Sequence, residues 1–200
     1  MKARRVKGLD PQGALADNAA RIVRVRLDEL CSFMPKAADP VQVVALHDMR
    51  IAAKRLRYIL EITAPCFGPY AATAMKATKG LQDLLGEIHD CDVQEPDVMA
   101  QLERVMAEDA RALVARAGDA DDLDPALLKR IPGRAVHPGL VALAVHLRAR
   151  RALLFARFLE AWRDLERKGF RARLEFALDE RAGATGNGAT PVATPLEVIE

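Results

Sequence analysis

Four ionisable side chains, His47, Arg50, Lys54 and Arg57, recur at helical spacing within the segment HDMRIAAKRLRY. Wound at 100° per residue, they share one arc of about 80°. Guanidinium forks and an ammonium group one turn apart on a rigid rod match the oxygens of a run of phosphates. The opposite arc carries Met49, Ala52, Ala53, Leu56, Ile59 and Leu60, which is a core face. A cationic arc opposite a core is also what a plain solvated helix shows. Two features set this one apart. Its flanks are Ile51, Tyr58 and Ile62 rather than polar residues, and only Glu61 falls within the arc. Like charges at i, i+3 and i, i+4 repel by a few tenths of a kcal/mol per pair, so the stripe costs a little stability and is read as facing an anionic ligand.

A weaker version follows on the next helix, where Lys76 and Lys79 precede Asp83 and Asp90 on one stripe that also carries Gly86. A glycine in a helix interior costs about 1 kcal/mol relative to alanine, which close approach of a ligand or another backbone would explain. On the first helix Arg26 sits in the middle of an apolar face made by Leu15, Ala19, Ile22, Val23, Leu30 and Phe33. A buried, unpaired guanidinium is prohibitively costly, so Arg26 must pair, snorkel or face a wet interior. Arg148 and Arg151 share a stripe with Phe155, Phe158 and Trp162 and are placed on the far wall of the same interior.

Other chemistries have less support. No glycine-rich phosphate loop is present, so a nucleotide cradle of that kind is absent and the expected ligand is extended and held side chain by side chain. Nucleic acid would satisfy the same charge requirement, but aromatics for base stacking make up only 4% of the chain. The dipeptides His47-Asp48 and His89-Asp90 raise an alternative, a metal-dependent phosphohydrolase of the helical His-Asp type. Three cations on the His47 face oppose a divalent metal, and no metal, cofactor or catalytic nucleophile is expected. Cys31, Cys66 and Cys91 lack CxxC spacing and are read as reduced thiols.

The elements that must position these groups are helices. Half the residues are hydrophobic and 29% are charged, with Ala, Leu and Arg abundant and few β-branched runs. Net charge is only +2, but residues 134–173 hold ten basic against three acidic residues, and residues 103–124 hold seven acids against three arginines. Residues 1–12 read as a flexible basic arm and 182–200 as a disordered tail, leaving a helical domain over 13–181. Periodicity and the Pro/Gly breaks predict helices over 15–34, 41–63, 70–93, 97–117 and 140–168, with a last one ending near 181. The third is expected to stop before Pro96. The fold class is all-α, a bundle of five to six antiparallel helices. With no apolar run of membrane-spanning length and no leader-like h-region, a cytoplasmic location is expected.

The segments LHDMRIAAKRLRYILEI and LQDLLGEIHDCDV together resemble the conserved-histidine α-helical domain (CHAD) family, closely over residues 46–93 and more loosely over 15–181. The motifs that carry the resemblance are H-x-x-R followed by K-R-x-R-Y, then LQ-x-x-LG with a later D-x-D. The resemblance implies a helical bundle around a basic cavity that binds inorganic polyphosphate and in some cases joins polyphosphate-containing granules, acting as a binding module rather than an enzyme. It implies phosphate contacts at His47, Arg50, Lys54 and Arg57, with Lys76 and Lys79 beside them; Arg26, Arg148 and Arg151 are added on face geometry alone. The family's second half departs here: in HLRARRALLFARF, His146 is followed at the third position by Ala149 instead of Arg. No triphosphatase-type segment accompanies the domain, so catalysis in cis is not expected.

Overall fold

The computed structural model describes residues 2–180. Five α-helices follow one another: α1 (Leu15–Cys31), α2 (Val43–Thr63), α3 (Tyr70–Ala117), α4 (His137–Arg167) and α5 (Phe170–Asp179). Short 3-10 turns at Lys36–Ala38, Ala64–Cys66, Pro125–Arg130 and Pro132–Ala135 join them. Among the described residues there is no strand, as the composition predicts. The expected tail at 182–200 lies outside the described residues.

Helix α3 is the axis of the assembly, with α2 and α4 packed along it and α1 and α5 closing the bundle. The core face predicted for α2 is the one it buries: Met49, Ala52, Ala53, Leu56 and Leu60 are fully enclosed and Ile59 packs at the edge. The same core takes in Val23, Leu27 and Leu30 of α1, Leu81, Leu85 and Ile88 of α3, Leu154, Phe158 and Trp162 of α4, and Leu174 and Leu178 of α5. Leu15, predicted inside, is exposed at the first position of α1. Gly169, at φ +65°, makes the left-handed turn that ends α4 and lets α5 fold back.

One expectation is corrected. The third and fourth predicted helices are one, and Pro96 lies inside α3. Proline removes a single i→i−4 hydrogen bond, the one Asp92 would otherwise receive, and packing overrides that loss. Ion pairs from α4 brace the helix on the proline's N-terminal side: Arg151 takes Asp92, and Arg148 takes Glu95 at 2.5 Å. The basic arm, expected to be flexible, runs beside α1. The Arg4 amide donates to Glu29 at 3.3 Å, its guanidinium donates to Ser32 Oγ at 2.6 Å, and its carbonyl accepts from Arg26 at 2.9 Å.

The connection into α4 is pinned by a buried carboxylate. Asp109 accepts the Gly133 amide at 2.7 Å and lies 2.9 Å from His137 Nε2. A side chain at Gly133 would collide with Val105 Cγ1 and Asp109 Oδ2, so the close approach requires glycine. Gly133→Ala is expected to cost about 1–3 kcal/mol, lowering Tm by several degrees in thermal denaturation followed by circular dichroism.

Candidate functional site: the α2–α3 groove

Helices α2 and α3 run antiparallel, and two contacts fix their register. The rings of His47 and His89 approach to a centroid separation of 4.5 Å, tilted by 47°. One turn further along, Arg50 Nε lies over Gly86, 3.5 Å from where a Cβ would stand. Both pairs belong to one alignment, which sets Lys54 level with Gln82 and Arg57 level with Lys79. The predicted stripe of α2 and the Lys79–Gly86 side of α3 thus flank a single groove.

The groove's polar atoms are short of partners. His47 Nδ1, Arg50 Nε, Arg57 Nε and Gln82 Oε1 are buried without a hydrogen-bond partner. Neither Arg50 nor Lys54 makes an ion pair among the described residues. Arg57 reaches Glu61 only at 3.5 Å and rests over the Tyr58 ring at 4.5 Å, while Lys54 lies 5.7 Å from the same ring. Tyr58 therefore orients two cations through their attraction to its π face without neutralising them. A buried unsatisfied donor costs about 1–3 kcal/mol, more when charged, so the unpartnered Nε–H groups of Arg50 and Arg57 favour a bound anion, whereas Gln82 Oε1 is an acceptor and calls for a donor. Opposite them, Lys79 is paired with Asp83 at 2.6 Å on an exposed surface, and Lys76 is exposed.

The other predicted site residues lie in different networks. Arg26 donates to Glu29 at 2.6 Å, and Arg55 of α2 donates to the other oxygen of the same carboxylate at 2.9 Å. Glu29 is only 2% exposed, so this cluster is the pairing that a guanidinium on an apolar face demands. Arg148 and Arg151 bind Glu95 and Asp92 on the α4 side of α3, joined by Arg150, which binds Glu87 at 2.5 Å and approaches Cys91 Sγ at 3.9 Å. The geometry groups His47, Arg50, Lys54, Arg57 and, across the groove, Lys79, and assigns Arg26, Arg148 and Arg151 to ion pairs elsewhere. His89 and Gln82 join the groove although their angular positions on α3 alone set them apart from the stripe. The antiparallel alignment of H-x-x-R with G-x-x-H was the signal that would have found His89.

Two concavities lie away from the stripe. One of about 790 Å³ lies between the end of α1 and the α4–α5 turn, walled by Met34, Trp162, Leu165 and Phe170. Cys31 also lines it, and burial is the main reason its thiol is pushed up to about 11, with Asp28 and Glu175 adding to the effect and Arg171 opposing it. The other, about 370 Å³, is bounded by Tyr70, Leu84, Asp164 and Lys168. No group of three or more His, Cys, Asp or Glu side chains among the described residues is arranged to hold a metal. No helix among them is long and apolar enough to cross a membrane.

An all-α bundle with a histidine-headed basic helix laid against an LG-containing helix is a narrow class. Residues 2–96 match the family model of the CHAD domain. No curated protein and no solved structure matches it.

Two outcomes test this geometry. Glu29→Gln should lower unfolding stability by about 3 kcal/mol in urea titrations, because two arginines lose their shared counter-charge in a largely dehydrated setting. At pH 8, alkylation of Cys31 should run about a thousandfold below the rate expected of a fully ionised thiol, read by peptide mass spectrometry.

Proposed function

We propose that the chain binds inorganic polyphosphate, or a similar linear phosphate polymer, along the groove between α2 and α3, and does so as a binding module rather than as an enzyme. The observation that carries this reading is the row formed by His47, Arg50, Lys54 and Arg57. Along it Arg50 and Lys54 make no ion pair among the described residues, and Arg50 Nε and Arg57 Nε are buried without a hydrogen-bond partner, at intervals of about one helical turn. A turn rises about 5.4 Å, so successive side chains of adjustable reach can each meet a phosphate of an extended polymer. The match of residues 2–96 to the CHAD family model supports the same ligand class. Lys79 and Lys76 extend the field on the α3 wall, with Asp83 holding Lys79 in the apo state. Because the groove is held by packed helices and by Tyr58, little ordering is required when the ligand arrives. The reading places the protein with polyphosphate-containing bodies in the cell interior.

A polyphosphate titration against length-matched DNA and heparin, across a salt series, tests the proposal. Arg50→Ala/Lys54→Ala should weaken polyphosphate binding by about a hundredfold, near tenfold for each charge-assisted contact. Equal, weak binding of all three polymers, untouched by the substitutions, would reduce the stripe to a charged surface that docks on any polyanion. Phosphate release dependent on added divalent metal would instead favour the phosphohydrolase alternative built on His47 and His89.

His47 gives a second readout. Its ring faces that of His89 at a centroid separation of 4.5 Å, and His47→Ala should weaken polyphosphate binding severalfold in the same titration with helicity unchanged. Unchanged affinity would remove His47 from the ligand-contact set.

A further inference from the structure

The distal half of α3 departs from the rest of the bundle. After Cys91 it buries no hydrophobic side chain, although it carries Val98, Met99, Leu102, Val105, Met106, Leu113 and Val114. By the register with α2, that helix ends beside residue 93, so beyond it α3 and the first half of α4 run on as a two-helix arm. Helix α4 has a clear inner face made by Ala144, Leu147, Leu154, Phe155, Phe158 and Trp162. Its outer face is apolar too. Val141, Val145 and Leu153 are 47%, 59% and 55% exposed, and Ala142, Ala149, Ala152 and Ala156 are exposed among them. These residues fit an arc of about 120°. Positions 142, 145, 149, 152 and 156 alternate by three and four, the period at which two helices form a continuous seam.

We infer that a second copy of this chain docks on this face, the two α4 helices packing antiparallel about a two-fold axis at Arg148–Ala149. A two-fold interface must be complementary to itself. The sequence meets that condition: about this axis Val141 lies opposite Ala156, and Val145 opposite Ala152, so each larger side chain meets a small one. Alanine at the centre lets the helix axes approach closely. Charge agrees with the pairing. Arg148, nearest the axis, is already neutralised by Glu95, so two copies do not meet as bare cations. Arg157 makes no ion pair among the described residues, and in this arrangement it comes level with residue 140 of the other copy. There, by the α3–α4 register of Arg148 with Glu95, α3 carries the exposed and equally unpaired Glu103.

The area suffices. The exposed apolar surface on this face is on the order of 400 Å² per copy, as large as the biggest patch an ordinary monomer shows. With the flanking arginine stems, the pair would bury about 1,000 Å², at the threshold for specific association. A dimer of micromolar affinity follows.

The test is sedimentation equilibrium of the full chain from about 1 to about 200 μM, in low salt, without polyphosphate. The wild type should pass from monomer to dimer across this range. Ala149→Glu/Ala152→Glu should stay monomeric, with helicity and Tm unchanged because both positions are solvent-facing in the single chain. Oxidation of Ala149→Cys should trap a covalent dimer above the background of the native cysteines, whereas Arg163→Cys, far from the axis, should not. A wild type that is monomeric throughout, a double variant that dimerises as well as the wild type, or equal cross-linking at 149 and 163 would each overturn the inference. Since no outcome depends on polyphosphate, failure here leaves the groove reading untouched.

Discussion

The arrangement of this protein turns on one buried carboxylate. Glu29 sits on α1 where α2 crosses it and receives Arg26 from its own helix, Arg55 from α2 and the Arg4 amide from the N-terminal segment. A lone carboxylate at that depth would be strongly disfavoured, and so would either arginine left without it. Together they satisfy one another and fix the rotation of α2 about its axis. That rotation turns the Met49–Leu60 face into the core and leaves the His47–Arg57 arc toward α3. The cations of α2 are thereby sorted: Arg55 is consumed in holding the fold, while Arg50 and Lys54 on the other side make no ion pair among the described residues.

The same sorting recurs on α3. Its acids Glu87, Asp92 and Glu95 point toward α4 and take Arg150, Arg151 and Arg148. The side toward α2 presents Gly86, His89 and Gln82, none of which carries a fixed negative charge. Segregated charge along the sequence thus becomes segregated charge in space. The basic 134–173 stretch spends part of its surplus on the middle of α3, so the local excess read from sequence overstates what α4 can offer a ligand.

What could be read from sequence was what is local. Helix periodicity placed α1, α2 and α4 to within a few residues, and the arc shared by His47, Arg50, Lys54 and Arg57 follows from 3.6 residues per turn alone. The less legible features depend on partners distant in the chain. Nothing within α1 says that Arg26 shares a carboxylate with Arg55, because that requires knowing where α2 crosses. Arg148 and Arg151 share a stripe with Phe155 and Trp162, yet whether such arginines meet a ligand or an acid is decided by α3. His89 looked misplaced on its own helix and meets His47 only through antiparallel alignment. Pro96 misled for the converse reason: its local preference is real but smaller than the packing and ion pairs that carry α3 through it.

The uninterrupted length of α3 has a mechanical consequence. Forty-eight residues make a rod of about 70 Å, with the groove on its first half and the two-helix arm on its second. Without a hinge between them, the angular phase of the two halves is set by residue count alone. One residue inserted near position 95 would advance the distal half by about 1.5 Å and turn it by about 100°. The arm would then swing a quarter-turn around the axis while the groove stayed where it was. The spacing between the LG motif and the proline therefore acts as a torsional setting, and its length matters even where its side chains do not.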